Sequence, residues 1–536
     1  MALPTPDLAA AAAVVEVARA TVDAAVGHLA AIEGGPDVHQ VVAYDVAHAA
    51  SAVENARVVL EYGAKGDVEA RIACAFVADV AFDVTTRVLG REAEWGVAEE
   101  PMAAALPFLR TWRSAEVLAS LCGQDGPRHL DDDFEMVQAT FRRFAEEKIR
   151  PHAEHVHRTN GDIPEAVITG LAEIGGFGLS IPEEYGGYSA GGESEYMGMV
   201  VATEELSRGS LGMGGSLITR PEILTRALVK GGTEEQKVTW LPRLAAGEIM
   251  NAVAVTEPDF GSDVAGVKVT ATPDETNAGW RINGVKTWCT FGARADVLML
   301  LARTDPDRSK THRGLSVFIV PKERGDGHGF QFTQSVGDVP AKMEGRPIDT
   351  IGYRGMHSYE IAFEDWFVPA ENLIGMEGGL GRGFYYQMEG FENGRLQTAA
   401  RAVGIMQAAY EAAYAYAQDR KVFGAPIGDY QLTQAKLARM SVVIQASRQF
   451  AYRVAALMGA GEGAMEASMV KAYVCRAAEW VTREAMQIHG GMGYAEEYAV
   501  SRYFVDARVL SIFEGADETL ALKVVIRRLI DAAKPR

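Results

Sequence analysis

The stretch Ala254-Val-Thr-Glu-Pro-Asp-Phe-Gly-Ser-Asp263 marks the point at which the character of the sequence changes, and it decides the fold. Before it, apolar residues recur at helical spacing. After it, short β-branched runs alternate with Gly, Asn and Asp, which is the pattern of an antiparallel sheet. The predicted strands are Val267–Ala271, Trp280–Ile282, Val297–Ala302 and Leu315–Val320.

Helical patterns flank this β block, for which we predict the bounds 251–375. Residues 1–122 form a first helical block, in which Val42, Val46, Ala49, Val53, Ala56 and Leu60 make one helix stripe. A break follows at Gly123-Gln-Asp-Gly-Pro127. Residues 130–250 and 376–536 form the other helical blocks. Their predicted helices are Phe134–Ile149, Pro164–Ile174, Met199–Leu206, Arg395–Asp419, Gln431–Leu457, Met465–Ile488 and Leu520–Asp531.

The first and last blocks share a short internal sequence similarity. The residues Glu69, Ala70, Ala75, Val77, Ala81, Val84 and Thr85 match Glu466, Ala467, Ala472, Val474, Ala478, Val481 and Thr482 in strict register. Because alanine-rich helices produce such matches readily, common origin and simple similarity of two helices both remain open.

Charge and cysteine usage exclude several classes of function. The chain has 536 residues, with 52 Lys+Arg against 72 Asp+Glu, and a formal net charge of −20. This balance argues against binding to nucleic acid or to anionic membranes. The cysteines Cys74, Cys122, Cys289 and Cys475 show no CxxC spacing, which fits a reducing cytoplasm. The Ala-rich start lacks a basic region typical of a signal peptide, and no apolar run is long enough to predict a membrane span.

Ordered motifs over about three quarters of the chain carry a family resemblance. After Ala254–Asp263 come Asn283-Gly-Val-Lys-Thr-Trp-Cys-Thr290, Val368-Pro-Ala-Glu-Asn-Leu-Ile-Gly375, Asp419-Arg-Lys-Val-Phe-Gly424, Gln487-Ile-His-Gly-Gly-Met-Gly-Tyr494 and Ile512-Phe-Glu-Gly515. In this order they resemble the FAD-dependent acyl-CoA dehydrogenases. The resemblance implies an α+β fold with an N-terminal helical domain, a middle antiparallel β domain and a C-terminal four-helix bundle. Residues 1–122 are then an additional helical extension.

The resemblance implies FAD as cofactor and names the residues expected to bind it. Hydroxyls, amides close to glycine and aromatic faces suit the polar edge, the diphosphate and the flat ring of a flavin. Arg420, Phe423 and Gln431 are expected to contact the FAD of a neighbouring subunit, which implies at least a dimer. The other expected FAD contacts are Val255, Thr256, Gly261, Ser262, Trp288, Thr290, Gln487, Gly491, Ala516 and Glu518.

Glu514 is the expected catalytic base. Removing an α-proton from a thioester requires a carboxylate and hydrogen-bond donors on the thioester oxygen. In the family a Glu-Gly pair near the C-terminus supplies the carboxylate and one backbone donor, and Glu514-Gly515 stands at that place. Some members place the base at a position occupied here by Gly394, which has no side chain. Arg395 matches an arginine that the family keeps near the base, and Glu392 is expected to face CoA or solvent.

The segment from Ser216 to Gly232 is expected to line the acyl pocket, and it contains Arg220 and Arg226. An arginine can clamp the free carboxylate of a dicarboxylyl-CoA. Arg220 is the better candidate, since Arg226 can equally point to water. Ser262 and Gly515 are also expected at the substrate. The long helical extension, the two pocket arginines and an elongated loop from Phe332 to Pro347 most resemble members that oxidise (2S)-methylsuccinyl-CoA to mesaconyl-CoA, and this resemblance implies that substrate.

Three alternatives remain open: a dehydrogenase for glutaryl-CoA or a fatty acyl-CoA, an oxidase, and a flavoprotein of this fold that is not an enzyme. The resemblance implies an electron-transferring flavoprotein as the electron acceptor. The histidines His152, His155 and His157 resemble a metal cluster, but only Glu154 joins them at ligand spacing, so we expect no metal there. For assembly we expect a homodimer in which the extension covers its own C-terminal helices; the rival is an independent module on a linker at 123–127.

Overall fold

The computed structural model describes residues 3–325, 328–337 and 339–534, apart from the side chain of residue 389. The N-terminal extension is helical, as predicted. Its first long helix begins where the Asp7 side chain accepts a hydrogen bond from the Ala10 backbone at 2.9 Å. The extension contains α1 Leu8–Ala31, α2 Gly35–Val38, α3 Gln40–Gly63, α4 Asp67–Val88, α5 Glu92–Trp95, α6 Leu106–Trp112 and α7 Ala115–Ser120.

The next block is also helical, and its first two helices are joined by a π-helical turn at Ala145–Ile149. The predicted helix Phe134–Ile149 therefore does not end at Ile149 but continues to Thr159. The last helix begins with a capping box between Thr233 and Gln236. The block contains α8 Asp132–Phe144, α9 Arg150–Thr159, α10 Glu165–Glu173, α11 Gly192–Gly209, α12 Glu222–Gly231 and α13 Glu234–Ala245.

The β block forms an eight-stranded sheet. Its strands are β1 Asn251–Ala254, β2 Thr270–Asp274, β3 Gly279–Thr290, β4 Val297–Arg303, β5 Leu315–Pro321, β6 Phe330–Val336, β7 Val339–Ile348 and β8 Ser358–Pro369. The order is β1-β4-β2-β3-β8-β7-β6, and β5 pairs with β4. The predicted antiparallel pairing holds for most neighbours, but β4 pairs in parallel with β1 and, at one position, with β2.

Two local predictions in this block were wrong. The expected long loop from Phe332 to Pro347 is instead the antiparallel pair β6–β7; residue 338 in it lies outside the described residues. The expected strand Val267–Ala271 begins only at Thr270, because the Glu257 carboxylate accepts the backbone N–H groups of Lys268 and Val269 at 2.7 and 2.8 Å. A side chain has thus taken donors that a strand partner would use.

The C-terminal block returns to long helices. The π-helical turn Leu520–Val525 interrupts the last predicted helix. The elements are α14 Gly383–Asp419, β9 Lys421–Val422, β10 Ala425–Pro426, α15 Gln431–Gly459, α16 Ala464–His489, α17 Ala499–Arg508, α18 Asp517–Thr519 and α19 Ile526–Ala533.

The chain divides into two compact units, residues 1–136 with 398–536 and residues 137–397. In the second unit, helices α12 and α13 pack on strands β4 and β5 through buried Leu224, Leu241, Met299 and Val317. In the first unit, the extension packs on the C-terminal helices: α3 lies against α15 and α16, and α7 lies against α15. The helix stripe predicted for α3 is buried from Val42 to Ala56, with Val46 and Ala56 fully inaccessible, and Leu60 is half-buried.

The predicted break at residues 123–127 is present, but it is anchored to the C-terminal helices. The Asp125 carboxylate accepts hydrogen bonds from the Tyr410 hydroxyl at 2.6 Å and the Ser441 hydroxyl at 3.0 Å. The Gln445 amide donates to the backbone carbonyls of Asp125 and Gly126, both at 2.6 Å. Five residues without helical structure are therefore fixed by side chains of α14 and α15.

Candidate active site

Glu514 lies in the turn between a short 3-10 helix, Val509–Ser511, and α18. Its backbone φ is +54° and that of Gly515 is +97°. A non-glycine residue in this region costs about 1–3 kcal/mol and persists only where its surroundings impose it. Among the described residues, the buried Oε2 of Glu514 has no hydrogen-bond partner. A carboxylate oxygen without a partner in the described part of the chain can accept a proton.

Buried side chains hold this turn from the C-terminal helices. The Lys471 ammonium on α16 is fully buried and donates to the Gly515 carbonyl at 2.6 Å. The Arg401 guanidinium on α14 lies 5.5 Å from the centre of the Phe513 ring. Ser511 donates a hydrogen bond to Glu479 on α16. Sequence analysis missed Lys471, because no local pattern connects a lysine to a carbonyl 44 positions further along the chain.

Arg395, Glu392 and Gly394 lie on α14, in the part of this helix that belongs to the second unit. Gly394 is buried, whereas Arg395 and Glu392 are half-buried. Asn393 is buried on the same turn and donates a hydrogen bond to Glu222 on α12. Glu222 is a polar residue of the acyl-pocket segment that the sequence did not single out.

Two segments with expected flavin contacts, 254–263 and the end of β3, lie side by side in the second unit. The Thr287 N–H donates to the Thr256 carbonyl at 2.8 Å, and the buried Lys286 ammonium donates to the Val255 carbonyl at 2.9 Å. Lys286 also pairs with Glu257 at 2.8 Å. Burial lowers the pKa of Lys286, which the Glu257 carboxylate opposes. These bonds bring Val255 and Thr256 together with the strand end that carries Trp288.

The strand end itself offers a flat, accessible surface. Trp288 has φ +57° and is 55% exposed, so its ring is presented to solvent rather than packed in the core. The Thr290 hydroxyl lies 3.1 Å from the Ser358 hydroxyl on β8. Ser262 and Gly261 are exposed, and a Cβ placed on Gly261 would meet nothing within 4 Å. Open space beside the glycine and an exposed indole fit a planar group with a diphosphate tail.

The remaining expected FAD residues lie in the first unit. Phe423, in the turn between β9 and β10, is 97% exposed at φ +52°. Gly491 has open space where a Cβ would stand, and Ala516 is half-buried next to Gly515. The other residues, which are all exposed, are Arg420, Gln431, Gln487 and Glu518.

The two arginines of the acyl-pocket segment have different surroundings. Arg220 is buried, and its Nε donates to the Ser216 carbonyl at 2.9 Å. Arg226 forms an ion pair with Glu195, lies 4.0 Å from Glu222, and its side chain is 15% exposed. The alternative in which Arg226 points to water is therefore wrong, because these carboxylates hold it inside the unit.

The histidines His152, His155 and His157 do not lie together as a set of metal ligands among the described residues. His152 and His155 are exposed on α9, whereas His157 is buried. A different set, Asp162, His328 and His357, places its ligand atoms within 4.8 Å of one another. The His357 imidazole already lies 3.1 Å from both the Asp162 carboxylate and the Gly161 carbonyl, so hydrogen bonds account for much of this cluster. Within the described ranges, no helix is long and apolar enough to cross a membrane.

Comparison with known proteins agrees with this arrangement. Residues 131–248, 252–366 and 381–530 match the N-terminal, middle and C-terminal domains of acyl-CoA dehydrogenases. The (2S)-methylsuccinyl-CoA dehydrogenase of Cereibacter sphaeroides is 44% identical over 407 residues, which are 76% of this chain and 71% of that protein.

Solved structures show the same fold. A glutaryl-CoA dehydrogenase from Mycobacterium smegmatis, in complex with FADH2, is 27% identical with a TM-score of 0.65, over 76% of this chain and 97% of that chain. A chain from the electron-transferring flavoprotein structure of Acidaminococcus fermentans is 31% identical with a TM-score of 0.65, over 75% of this chain and 98% of that chain. The chain therefore belongs to the acyl-CoA dehydrogenase family, FAD-dependent oxidoreductases that act on CH–CH groups.

Proposed function

We propose that this enzyme oxidises (2S)-methylsuccinyl-CoA to mesaconyl-CoA, a step of the ethylmalonyl-CoA pathway of acetate assimilation. The observation that carries the chemistry is the buried Glu514 oxygen without a hydrogen-bond partner among the described residues. The 44% identity to a methylsuccinyl-CoA dehydrogenase supports the substrate. The relevant alternatives are glutaryl-CoA and branched fatty acyl-CoA substrates.

In this mechanism Glu514 removes the proton from Cα of the thioester. The Glu514 backbone N–H donates to the thioester oxygen as negative charge develops there, and Gly515 allows the close approach. The family resemblance supports a catalytic role for Arg395 as well. FAD, when bound, supplies the acceptor for the hydride that leaves Cβ. Val255, Thr256, Gly261, Ser262, Trp288 and Thr290 would hold it from the second unit.

Arg220 is the proposed clamp for the free carboxylate of the substrate. It is buried, so a charge-assisted hydrogen bond to it would be stronger than one formed in water. Arg226 is the second candidate, and the carboxylates of Glu195 and Glu222 lie beside its guanidinium. A site with a buried guanidinium favours a dicarboxylyl-CoA over a fatty acyl-CoA of similar length.

The proposed electron acceptor is an electron-transferring flavoprotein. The retained acyl-CoA dehydrogenase domains support this, since the resemblance implies such an acceptor, and a chain from an electron-transferring flavoprotein structure shares the fold. We also propose a cytoplasmic location. All four cysteines are free, as suits a reducing compartment.

The proposed assembly is a homodimer. Phe423 is almost fully exposed beside Arg420 and Gln431, which fits contacts to the FAD of a second copy. The extension packs on α15 and α16, where it can take the place of a second dimer. The fixed segment at 123–127 speaks against an independent module on a flexible linker.

One experiment tests the substrate. The purified flavoprotein is mixed without oxygen with methylsuccinyl-CoA, succinyl-CoA, glutaryl-CoA and butyryl-CoA, and bleaching of the flavin absorbance is followed. Rapid bleaching by methylsuccinyl-CoA and slow bleaching by the others is the expected result. Preferential bleaching by glutaryl-CoA or butyryl-CoA would replace the proposed substrate, and turnover with oxygen as acceptor would indicate an oxidase.

A further inference from the structure

The loop that carries Glu514 is bonded to the N-terminal extension. Asp517 lies three residues after Glu514, and its Oδ2 accepts two hydrogen bonds from helix α3. The Tyr44 hydroxyl donates at 2.5 Å, and the His48 Nε2 lies at 3.1 Å. The rings of Tyr44 and His48 meet edge to face with centroids 4.5 Å apart, so the two donors also fix each other.

Burial makes this contact strong. His48 is 4% exposed and Asp517 is 7% exposed. Burial lowers the pKa of His48 and is only partly opposed by its hydrogen bond to Asp517. Burial would raise the pKa of Asp517, but the hydrogen bonds from His48 and Tyr44 outweigh it and keep the pKa below its usual value. The arrangement is therefore a carboxylate held by two neutral donors, and the loss of either donor leaves a buried charge less well satisfied.

The segment after the base is thus held at two residues, Gly515 and Asp517. Lys471 holds the Gly515 carbonyl from α16, and Tyr44 and His48 hold Asp517 from α3. Glu514 itself has a left-handed backbone, which neighbouring contacts must maintain. The C-terminal helices supply the first contact, but the second exists only because the extension is present.

We infer that Tyr44 and His48 are positioning residues for the reaction and act on Glu514 through Asp517. This inference rests on the proposed function, in which Glu514 is the base. The extension then contributes to catalysis as well as covering the C-terminal helices. Because a displacement of about 1 Å at a catalytic group can lower the rate by up to about 100-fold, release of Asp517 should reduce turnover more than substrate binding.

The test compares Tyr44→Phe and His48→Leu with His48→Gln and Tyr62→Phe in the full-length, FAD-loaded enzyme. His48→Gln keeps a hydrogen-bond donor for Asp517. Tyr62→Phe is the matched control, since Tyr62 is a buried tyrosine of α3 whose hydroxyl donates at 3.0 Å to the Pro127 carbonyl instead. We expect kcat with methylsuccinyl-CoA to fall about tenfold in Tyr44→Phe and further in His48→Leu, with KM within about twofold. His48→Gln should recover most of the rate.

Hydrogen exchange of the peptide covering residues 512–519 provides a readout that needs no substrate. Faster exchange in Tyr44→Phe than in Tyr62→Phe is the expected result. This exchange difference does not depend on turnover, so it can be measured even if no thioester reduces the wild-type flavin. Failure of every thioester to reduce the wild-type flavin would refute the proposed function and leave the exchange result unchanged. If His48→Leu does not fold, the comparison of Tyr44→Phe with Tyr62→Phe alone tests the inference. The inference is overturned if Tyr44→Phe matches Tyr62→Phe in both kcat and exchange while the wild type oxidises its substrate.

Discussion

The ammonium group of Lys471 lies 2.6 Å from the carbonyl oxygen of Gly515, the residue that follows Glu514. The lysine is fully buried on α16, where a charge is costly unless hydrogen-bond partners satisfy it. A carbonyl that accepts from an ammonium holds the peptide between Gly515 and Ala516 in one orientation. This contact and the extension together explain how the strained backbone of Glu514 is maintained.

Lys471→Met should therefore lower both stability and turnover. The Gly515 carbonyl loses a charge-assisted donor, which should cost about 1–3 kcal/mol of unfolding free energy. We expect a lower Tm and a lower kcat. Lys523→Met is the control, since Lys523 is an exposed lysine of the same unit that pairs with Asp37 at the surface. Equal Tm values for the two variants would show that the bond to Gly515 contributes nothing to folding.

Glu514→Gln should retain FAD and bind acyl-CoA but lose proton abstraction. General-base catalysis contributes roughly 100- to 10,000-fold, so flavin reduction should slow by at least about 100-fold. The measurement is the single-turnover rate of flavin bleaching without oxygen, with the flavin spectrum as a control for cofactor content. A residual rate within about tenfold of wild type would place the base elsewhere.

Sequence patterns predicted the elements that depend on local periodicity. The stripe from Val42 to Leu60 predicted α3 because its apolar residues follow the helix repeat, although in the structure α3 is buried on nearly all sides. The pair β6–β7 was missed, although the apolar residues Phe330, Phe332 and Val336 all stand on the same face of a strand.

Contacts between distant segments could not be predicted in the same way. Nothing in the sequence around Asp517 shows that Tyr44 and His48 donate to it, because α3 and the base loop come together only through packing of the extension on α15 and α16. The pairing of Arg226 with Glu195 on α11 is a similar case. The sequence named Arg226 but not the carboxylate that neutralises it.

Arg220→Met and Arg226→Met should separate the two candidate clamps. Loss of a buried charged partner costs roughly 2–5 kcal/mol, so Arg220→Met should raise KM for methylsuccinyl-CoA strongly and improve the relative use of butyryl-CoA. Arg226→Met should mainly lower Tm, because Glu195 and Glu222 lose their counter-charge. If selectivity changes only in Arg226→Met, the clamp is Arg226; if it changes in neither, the clamp lies outside this segment.

The assembly prediction concerns mass. The full-length protein should be a homodimer of about 115 kDa, twice the chain mass of 57.7 kDa. Deletion of residues 1–122 should expose the apolar surfaces of α15 and α16, and the shortened protein should form a tetramer or aggregate. Light scattering after size-exclusion chromatography measures both. A full-length tetramer, or a shortened protein that stays a soluble and active dimer, would contradict the covering role of the extension.

The buried His48 should make stability depend on pH. Burial lowers its pKa in the folded protein, whereas in the unfolded chain the pKa is about 6.5. Above this value both states are neutral; as the pH falls below it, the unfolded state takes up a proton that the folded state does not, so stability decreases.

His48→Gln removes this titration but leaves the other groups near it, Asp517, Tyr44, Arg476 and Arg87. The difference between the Tm of wild type and that of His48→Gln should therefore shrink between pH 7.5 and pH 5.5. Differential scanning fluorimetry at several pH values measures it. If this difference increases at low pH, His48 is protonated in the folded protein instead. It then forms an ion pair with Asp517, and folding raises its pKa.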